Sequence, residues 1–246
     1  MPQLLEFKSS DAEIGISART QIYGPESDLL NEFVEQYADK LSYLKRNYAL
    51  FYEPLLPTGY PDLVVVTYNP HKFETWTRER NALGVLDLKV LHHLYFVKGA
   101  TSSSIEQQLG LNSKLLLRIL ERLLDASLVR RTKQRWLPKR LRDTYGISNI
   151  RTIEAKISDW RSVLSQANMN RWFSSESCVL SPVSRPSWHV IKRAKTKGIG
   201  IYSMPSGVDV KTIQKPERLG GLPISYASWL FNEWIGRRLL MNQRGG

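Results

Sequence analysis

An α/β fold interrupted by a mainly helical insertion is what this sequence predicts, and three observations carry the expectation. Segments with strand character alternate with segments of helical spacing toward both ends of the chain. The run Leu63-Val-Val-Val66 reads as a short buried strand. Between it and the β-branched segment Ile150 to Ile157 lies a stretch with a helical pattern of its own, too long for a simple turn.

Taken in order, residues 1–25 alternate weakly and suggest a leading strand or hairpin arm, closed by Gly24-Pro25. Glu26-Ser27-Asp28 then supplies helix-start chemistry ahead of Leu29, Leu30, Phe33, Val34, Tyr37, Leu41 and Leu44 at helical spacing. Tyr48 to Leu56 and Asp62 to Tyr68 read as strands, ended by Pro57-Thr-Gly59 and Asn69-Pro70. Pro61 fits a strand entrance but not a strand centre, because it donates no ladder hydrogen bond. Residues 81–146 form the expected insertion: helices over Leu86–Val97, Ile105–Leu109 and Lys114–Ala126, then a basic two-stranded hairpin about Lys133-Gln134. Residues 1–80 and 147–246 make up the expected core. Its second part has a strand at Ile150–Ile157, a helix from Asp159 to Asn170, a strand at Ser177–Ser181 and a basic helix at Trp188–Thr196. A strand pair about Pro205-Ser-Gly207 and a last helix, Tyr226–Leu240, expected to dock on this core, with dimerisation or DNA contact as alternatives, complete the chain; Asn242-Gln-Arg-Gly-Gly reads as a frayed end.

Side chains two apart on a strand point to one face, so Glu154 and Lys156 are expected to project together. Such a pair makes an ordinary salt bridge, or it does chemistry: a carboxylate holds a divalent cation while the lysine steadies a water and developing charge. Pro61-Asp62 at one strand entrance, then Glu154-x-Lys156 on a later strand followed by a helix, resembles the PD-(D/E)xK nuclease superfamily. The resemblance covers roughly residues 22–67 and 148–216. It implies a restriction-endonuclease-like core, a mixed central sheet flanked by helices. Asp62 and Glu154 would hold Mg²⁺, with Mn²⁺ as a possible substitute, and Lys156 would position the attacking water. It also implies a further metal carboxylate from the first helix, for which Glu26 is the candidate, with Glu32 and Glu35 as alternatives. Helix capping is an equal explanation of Glu26. Gln166, on the helix after Lys156, would contact the lysine, a water or the DNA backbone, or be an ordinary exposed polar residue.

The net charge of +12 and the pI near 9.8 favour a polyanionic partner. Residues 114–142 carry ten Lys/Arg against Glu121 and Asp125, which is +8 of the +12. Three helices and a basic hairpin resemble a winged helix-turn-helix, in which the third helix enters the major groove and the wing touches the backbone. That resemblance implies DNA contacts from Lys114, Arg118 and Arg122 on the helix and Arg130, Arg131, Lys133 and Arg135 on the wing. DNA is the expected partner, with RNA left open, alongside a homodimer or the proteins of a larger recombination, restriction or transposition complex. The alternative function is a DNA-binding regulator or accessory subunit that uses the nuclease-like fold as scaffold. The lone Cys178 excludes an internal disulfide or a multi-cysteine zinc site, and the four histidines form no metal-ligand motif. No apolar run approaches a membrane span and no signal-peptide pattern opens the chain, so a soluble cytoplasmic protein is expected.

Overall fold

The computed structural model describes residues 3–20, 23–43, 46–221 and 224–243; Leu44, the side chain of Leu41 and the closing Arg-Gly-Gly lie outside them. The chain is α/β, with a large mixed sheet flanked by helices. In chain order come β1 (Leu4–Phe7), α1 (Pro25–Tyr43), β2 (Asn47–Tyr52), β3 (Leu63–Tyr68), α2 (Val85–Phe96), β4 (Ala100–Thr101), α3 (Ser102–Leu109) and α4 (Ser113–Asp125). There follow β5 (Val129–Thr132), β6 (Arg135–Pro138), α5 (Leu141–Thr144), β7 (Ile147–Ala155), α6 (Trp160–Met169), β8 (Glu176–Ser181), α7 (Trp188–Thr196), β9 (Gly200–Ser203), β10 (Lys211–Gln214) and α8 (Tyr226–Asn242).

Two compact units divide the chain: residues 1–68 with 147–223, and residues 69–146 with 224–246. In the first, a seven-stranded sheet of described residues has the order β1-β2-β3-β7-β8-β9-β10. The leading segment is a parallel neighbour of β2 rather than a hairpin arm, with Phe7 stacked on Phe51 at 4.3 Å. β3 runs antiparallel to both β2 and β7, whereas β7, β8 and β9 run parallel. All six β3 residues are buried, as an apolar central strand requires. Leu29, Leu30, Phe33 and Val34 of α1 cover one sheet face, against Leu50, Leu63, Val65, Ile153, Ala155 and Leu180. Val163, Leu164 and Ala167 of α6 and Ala194 of α7 cover the other, against Val179 and Ile201.

The second unit opens after Tyr68 rather than at residue 81. Its hairpin of β5 and β6 gains a third strand, giving the antiparallel order β4-β6-β5. Thr101 and Asn112 cap α3 and α4 through side-chain acceptors, as those residue types do. Leu116, Ile119, Leu120 and Leu123 turn the inner face of α4 into the core.

The last helix departs most from expectation. α8 belongs to this second unit, not to the α/β core. Trp229 stacks on Tyr95 and meets Tyr145 edge-on, and Asn232 accepts from the Gly146 backbone N–H. A Cβ on Gly236 would sit 2.3 Å from the Trp76 ring, so only glycine admits that ring. Residues 227–236 are buried without interruption, Ser228, Asn232 and Glu233 among them, so the helix carries no apolar stripe to say which neighbour it serves. Among the described residues no helix is long and apolar enough to cross a membrane.

Candidate functional site

The site forms where β2, β3 and β7 end together. Leu63 lies opposite Ile153, so the next rung of that antiparallel ladder joins Asp62 with Glu154. Tyr52 lies opposite Leu63, and one rung on the Glu53 N–H donates to the Asp62 carbonyl at 3.2 Å. Pro61 has no N–H to offer and ends the ladder there, which leaves Asp62 at the strand entrance. Asp62 Oδ2 accepts from the Ala155 backbone N–H at 2.7 Å, tying the carboxylate to β7.

Glu154 is 3 % exposed, and its Oε1 accepts from Asn170 Nδ2 at 2.5 Å. Burial, and then the charge of Asp62, push its carboxyl well above the ordinary range; the Asn170 bond and Lys156 oppose this. Burial likewise raises Asp62 to about 6, helped by Glu53 and Glu26 and opposed by the Ala155 N–H and Lys156. The half-buried Asp62 and the buried Glu154 thus each disfavour their charged form, and each raises the other's resistance to ionisation.

Lys156 lies one residue beyond β7, its backbone N–H donating to the Leu180 carbonyl at 2.9 Å. Its ammonium stands 2.8 Å and 3.1 Å from the two carboxylate oxygens of Glu26, in the first turn of α1. That hydrogen bond, ahead of the surrounding carboxylates, raises the Lys156 pKa, so the side chain is a cation at neutral pH. A cleft of about 520 Å³ opens here, with Arg19, Glu26, Glu53, Asp62, Ala155 and Ile157 in its wall. Glu154 is not part of that wall.

Two expected site residues stand apart from the Asp62–Glu154 pair. Gln166 is exposed on α6, because Val163, Ala167 and Asn170 form the helix's inner side and Gln166 falls one position off it. Asn170 reaches Glu154 instead. Glu26, expected as a metal ligand, has both oxygens on Lys156. Among the described residues no group of three or more His, Cys, Asp or Glu side chains is arranged to hold a metal ion. Asp62 and Glu154 remain as oxygen donors opposite each other on adjoining strands, a set whose chemistry suits Mg²⁺ when waters and phosphate oxygens complete its shell.

Sequence reasoning missed Glu53, Arg19 and Asn170. Glu53 takes a left-handed φ of 43° directly after β2, a conformation no residue pattern announced. Arg19 approaches it to 3.8 Å because residues 17–19 bond back to residues 53–55. Asn170 was legible: it continues the i, i+4, i+7 inner row from Val163 and Ala167.

In the second unit Lys114, Arg118, Arg130, Arg131, Lys133 and Arg135 are exposed. Arg135 Nη2 also donates to the Gly99 carbonyl at 2.7 Å, and Arg131 lies 5.4 Å from the centre of the Trp136 ring. Arg122 is committed differently from the DNA contact expected. Its Nη2 and Nε bond Asp87 Oδ1 at 2.6 Å and 3.1 Å, while Asp87 Oδ2 caps the Gly84 N–H at the start of α2. A buried aspartate held the arginine that helical spacing had paired with Arg118. Compared with known families, curated proteins and solved structures, the chain matches none.

Proposed function

We propose that this chain is a Mg²⁺-dependent nuclease of the PD-(D/E)xK kind that hydrolyses DNA phosphodiester bonds, with its second unit acting as a winged helix on DNA. The observation that carries the reading is the meeting of Asp62 and Glu154, distant in sequence, opposite each other on adjoining strands beside Lys156. The run α1-β2-β3-β7-α6-β8 supports it, since it supplies the helix, strand pair, motif-bearing strand and following helix that the motifs require. For the second unit the support is the order α2-β4-α3-α4-β5-β6, with exposed Lys133 at the hairpin turn.

Bound Mg²⁺ would polarise the scissile phosphate and acidify a water. Asp62 and Glu154 would hold it, Asp62 fixed by the Ala155 N–H and Glu154 by the Asn170 amide. Lys156, protonated and oriented by Glu26, fits the task of offsetting phosphorane charge and orienting the water better than the task of general base. The water's proton would then leave to solvent. Arg19, on the cleft wall, is available to a phosphate oxygen.

A second reading, a DNA-binding regulator on a nuclease-like scaffold, draws on the absence of a three-residue metal group among the described residues. One experiment separates the two. Supercoiled plasmid, single-stranded DNA and RNA are incubated with the parent and with Asp62→Ala, Glu154→Ala and Lys156→Ala, in Mg²⁺, in Mn²⁺ and in EDTA. The nuclease reading expects Mg²⁺-dependent nicking or linearisation that each substitution lowers by about 10²-fold or more, with DNA binding retained. A parent that cuts nothing, or variants that cut as well as the parent, would leave the regulator.

A further inference from the structure

The basic surface of the second unit is not the only one. Between Glu176 and Asp209 the chain carries Arg185, Lys192, Arg193, Lys195 and Lys197 and no acidic residue. Only Val190, Ile191 and Ala194 turn α7 toward the sheet. Arg185, Lys192, Arg193 and Lys195 are exposed, and none forms an ion pair among the described residues. Trp188, the first residue of α7, is 63 % exposed although it is the largest apolar side chain of the helix. It is nevertheless held in place: Lys192 Nζ stands 4.7 Å from the ring centre and the His189 ring meets it edge-on at 5.3 Å. The indole is thus flanked by one ammonium and an imidazole rather than by an apolar patch, which fits a polyanion with flat faces better than a protein partner.

The topology brings this surface to the candidate site. β7 and β8 are parallel neighbours, and the Lys156 N–H bonds Leu180 near the end of β8. Glu154 and Lys156 therefore share one sheet edge with the segment that leaves β8 and rises through Arg185 to Trp188. Ligands of open α/β sheets gather at that edge, beyond the carboxyl ends of the parallel strands.

From this we infer that Arg185, Trp188 and the cations of α7 form a track for an unpaired nucleic-acid strand leading to the Asp62–Glu154 site, so that the substrate is single-stranded, or unpaired next to the cut. The inference rests on the nuclease reading for its substrate but not for its binding. A duplex offers no free base face to an indole, whereas an unpaired strand offers one per nucleotide and a backbone for the cations to follow.

The test is fluorescence anisotropy in EDTA, where no cleavage is needed, with a labelled oligothymidylate and a labelled duplex of the same length. The proteins are the parent, Trp188→Ala, Trp188→Phe and the triple variant Lys192→Ala/Arg193→Ala/Lys195→Ala. Trp188→Ala is expected to weaken single-strand binding about tenfold while leaving duplex binding within about twofold, and Trp188→Phe to restore most of the loss. The triple variant should reduce the slope of log K against log salt on the single strand by about 2. Equal single-strand binding by parent and Trp188→Ala overturns the track, as does an equal loss on both DNAs. Phosphatidylserine vesicles that bind the parent through Trp188 more tightly than the oligonucleotide does would also overturn it. A parent that cuts nothing but loses single-strand affinity on Trp188→Ala sinks the nuclease reading and keeps the track. A parent that cuts, with Trp188→Ala binding and cutting single strands equally well, does the reverse.

Discussion

Glu154 and Glu233 are both buried glutamates, one in each unit, and they are treated in opposite ways. Glu233 faces Arg80, whose Nε and Nη2 bond its two oxygens at 3.1 Å and 2.5 Å; the guanidinium also donates to the Thr144 carbonyl and lies 3.6 Å from the Trp76 ring centre. Asn232 Nδ2 adds a further donor to Glu233. The Glu233 carboxylate has its counter-charge in place. Glu154 has one neutral amide as its direct partner and a second carboxylate opposite it on the adjoining strand. The buried charge at Glu233 is matched within the fold, whereas Glu154 is left short of partners and pushed toward protonation, which is the arrangement the proposed nuclease site draws on.

The largest expected effect probes the matched side. Arg80→Ala should destabilise the second unit by about 3–5 kcal/mol, because it strands Glu233 in the interior; urea denaturation followed by tryptophan fluorescence measures it. Glu154→Gln removes a charge that already opposes its surroundings and keeps an acceptor for Asn170, so it should cost far less. Equal losses from the two substitutions would erase the distinction.

The next effect is one of pH. A carboxyl held above its ordinary value binds its proton more tightly in the folded than in the unfolded chain. Stability from this source is therefore fully present below about 3.8 and falls as pH rises through about 6. In EDTA, the parent should lose up to about 3 kcal/mol across that window relative to Asp62→Asn. Chemical denaturation of both proteins between pH 4 and pH 7 checks it, and parallel pH profiles would contradict the burial assigned to Asp62.

Arg122 and Arg118 sharpen the comparison within one helix. Arg122→Ala removes the counter-charge of Asp87 and should cost about 1–3 kcal/mol of stability, read as a fall in urea midpoint. Arg118→Ala should leave the midpoint unchanged and weaken duplex binding. The smallest effect belongs to α6: Gln166→Ala should stay within about 0.5 kcal/mol, whereas Asn170→Ala should lower stability and, under the proposed nuclease function, the cleavage that Gln166→Ala would spare.

Local pattern was enough for the elements whose partners are implied by their own residues. The apolar run of β3, the strand entrance at Pro61-Asp62, the capped helices α3 and α4 and the turn at Lys133-Gln134 all follow from short-range rules of burial, proline geometry and capping. The pairing of Asp62 with Glu154 was anticipated only through a resemblance, because a ladder that closes across residues 69–146 leaves no trace in either strand alone.

The sequence by itself thus determined most of the strands and helices, though not β4 or α5, and which charged side chains existed to be used. Tertiary structure alone decided how those charges were spent: Arg122 on Asp87, Glu26 on Lys156, Asn170 rather than Gln166 on Glu154, and α8 in the second unit. The physical reason is that hydrophobic periodicity fixes which face of an element is buried, while the partner of a polar group depends on what another part of the chain brings within about 3 Å of it. No window of neighbouring residues contains that information.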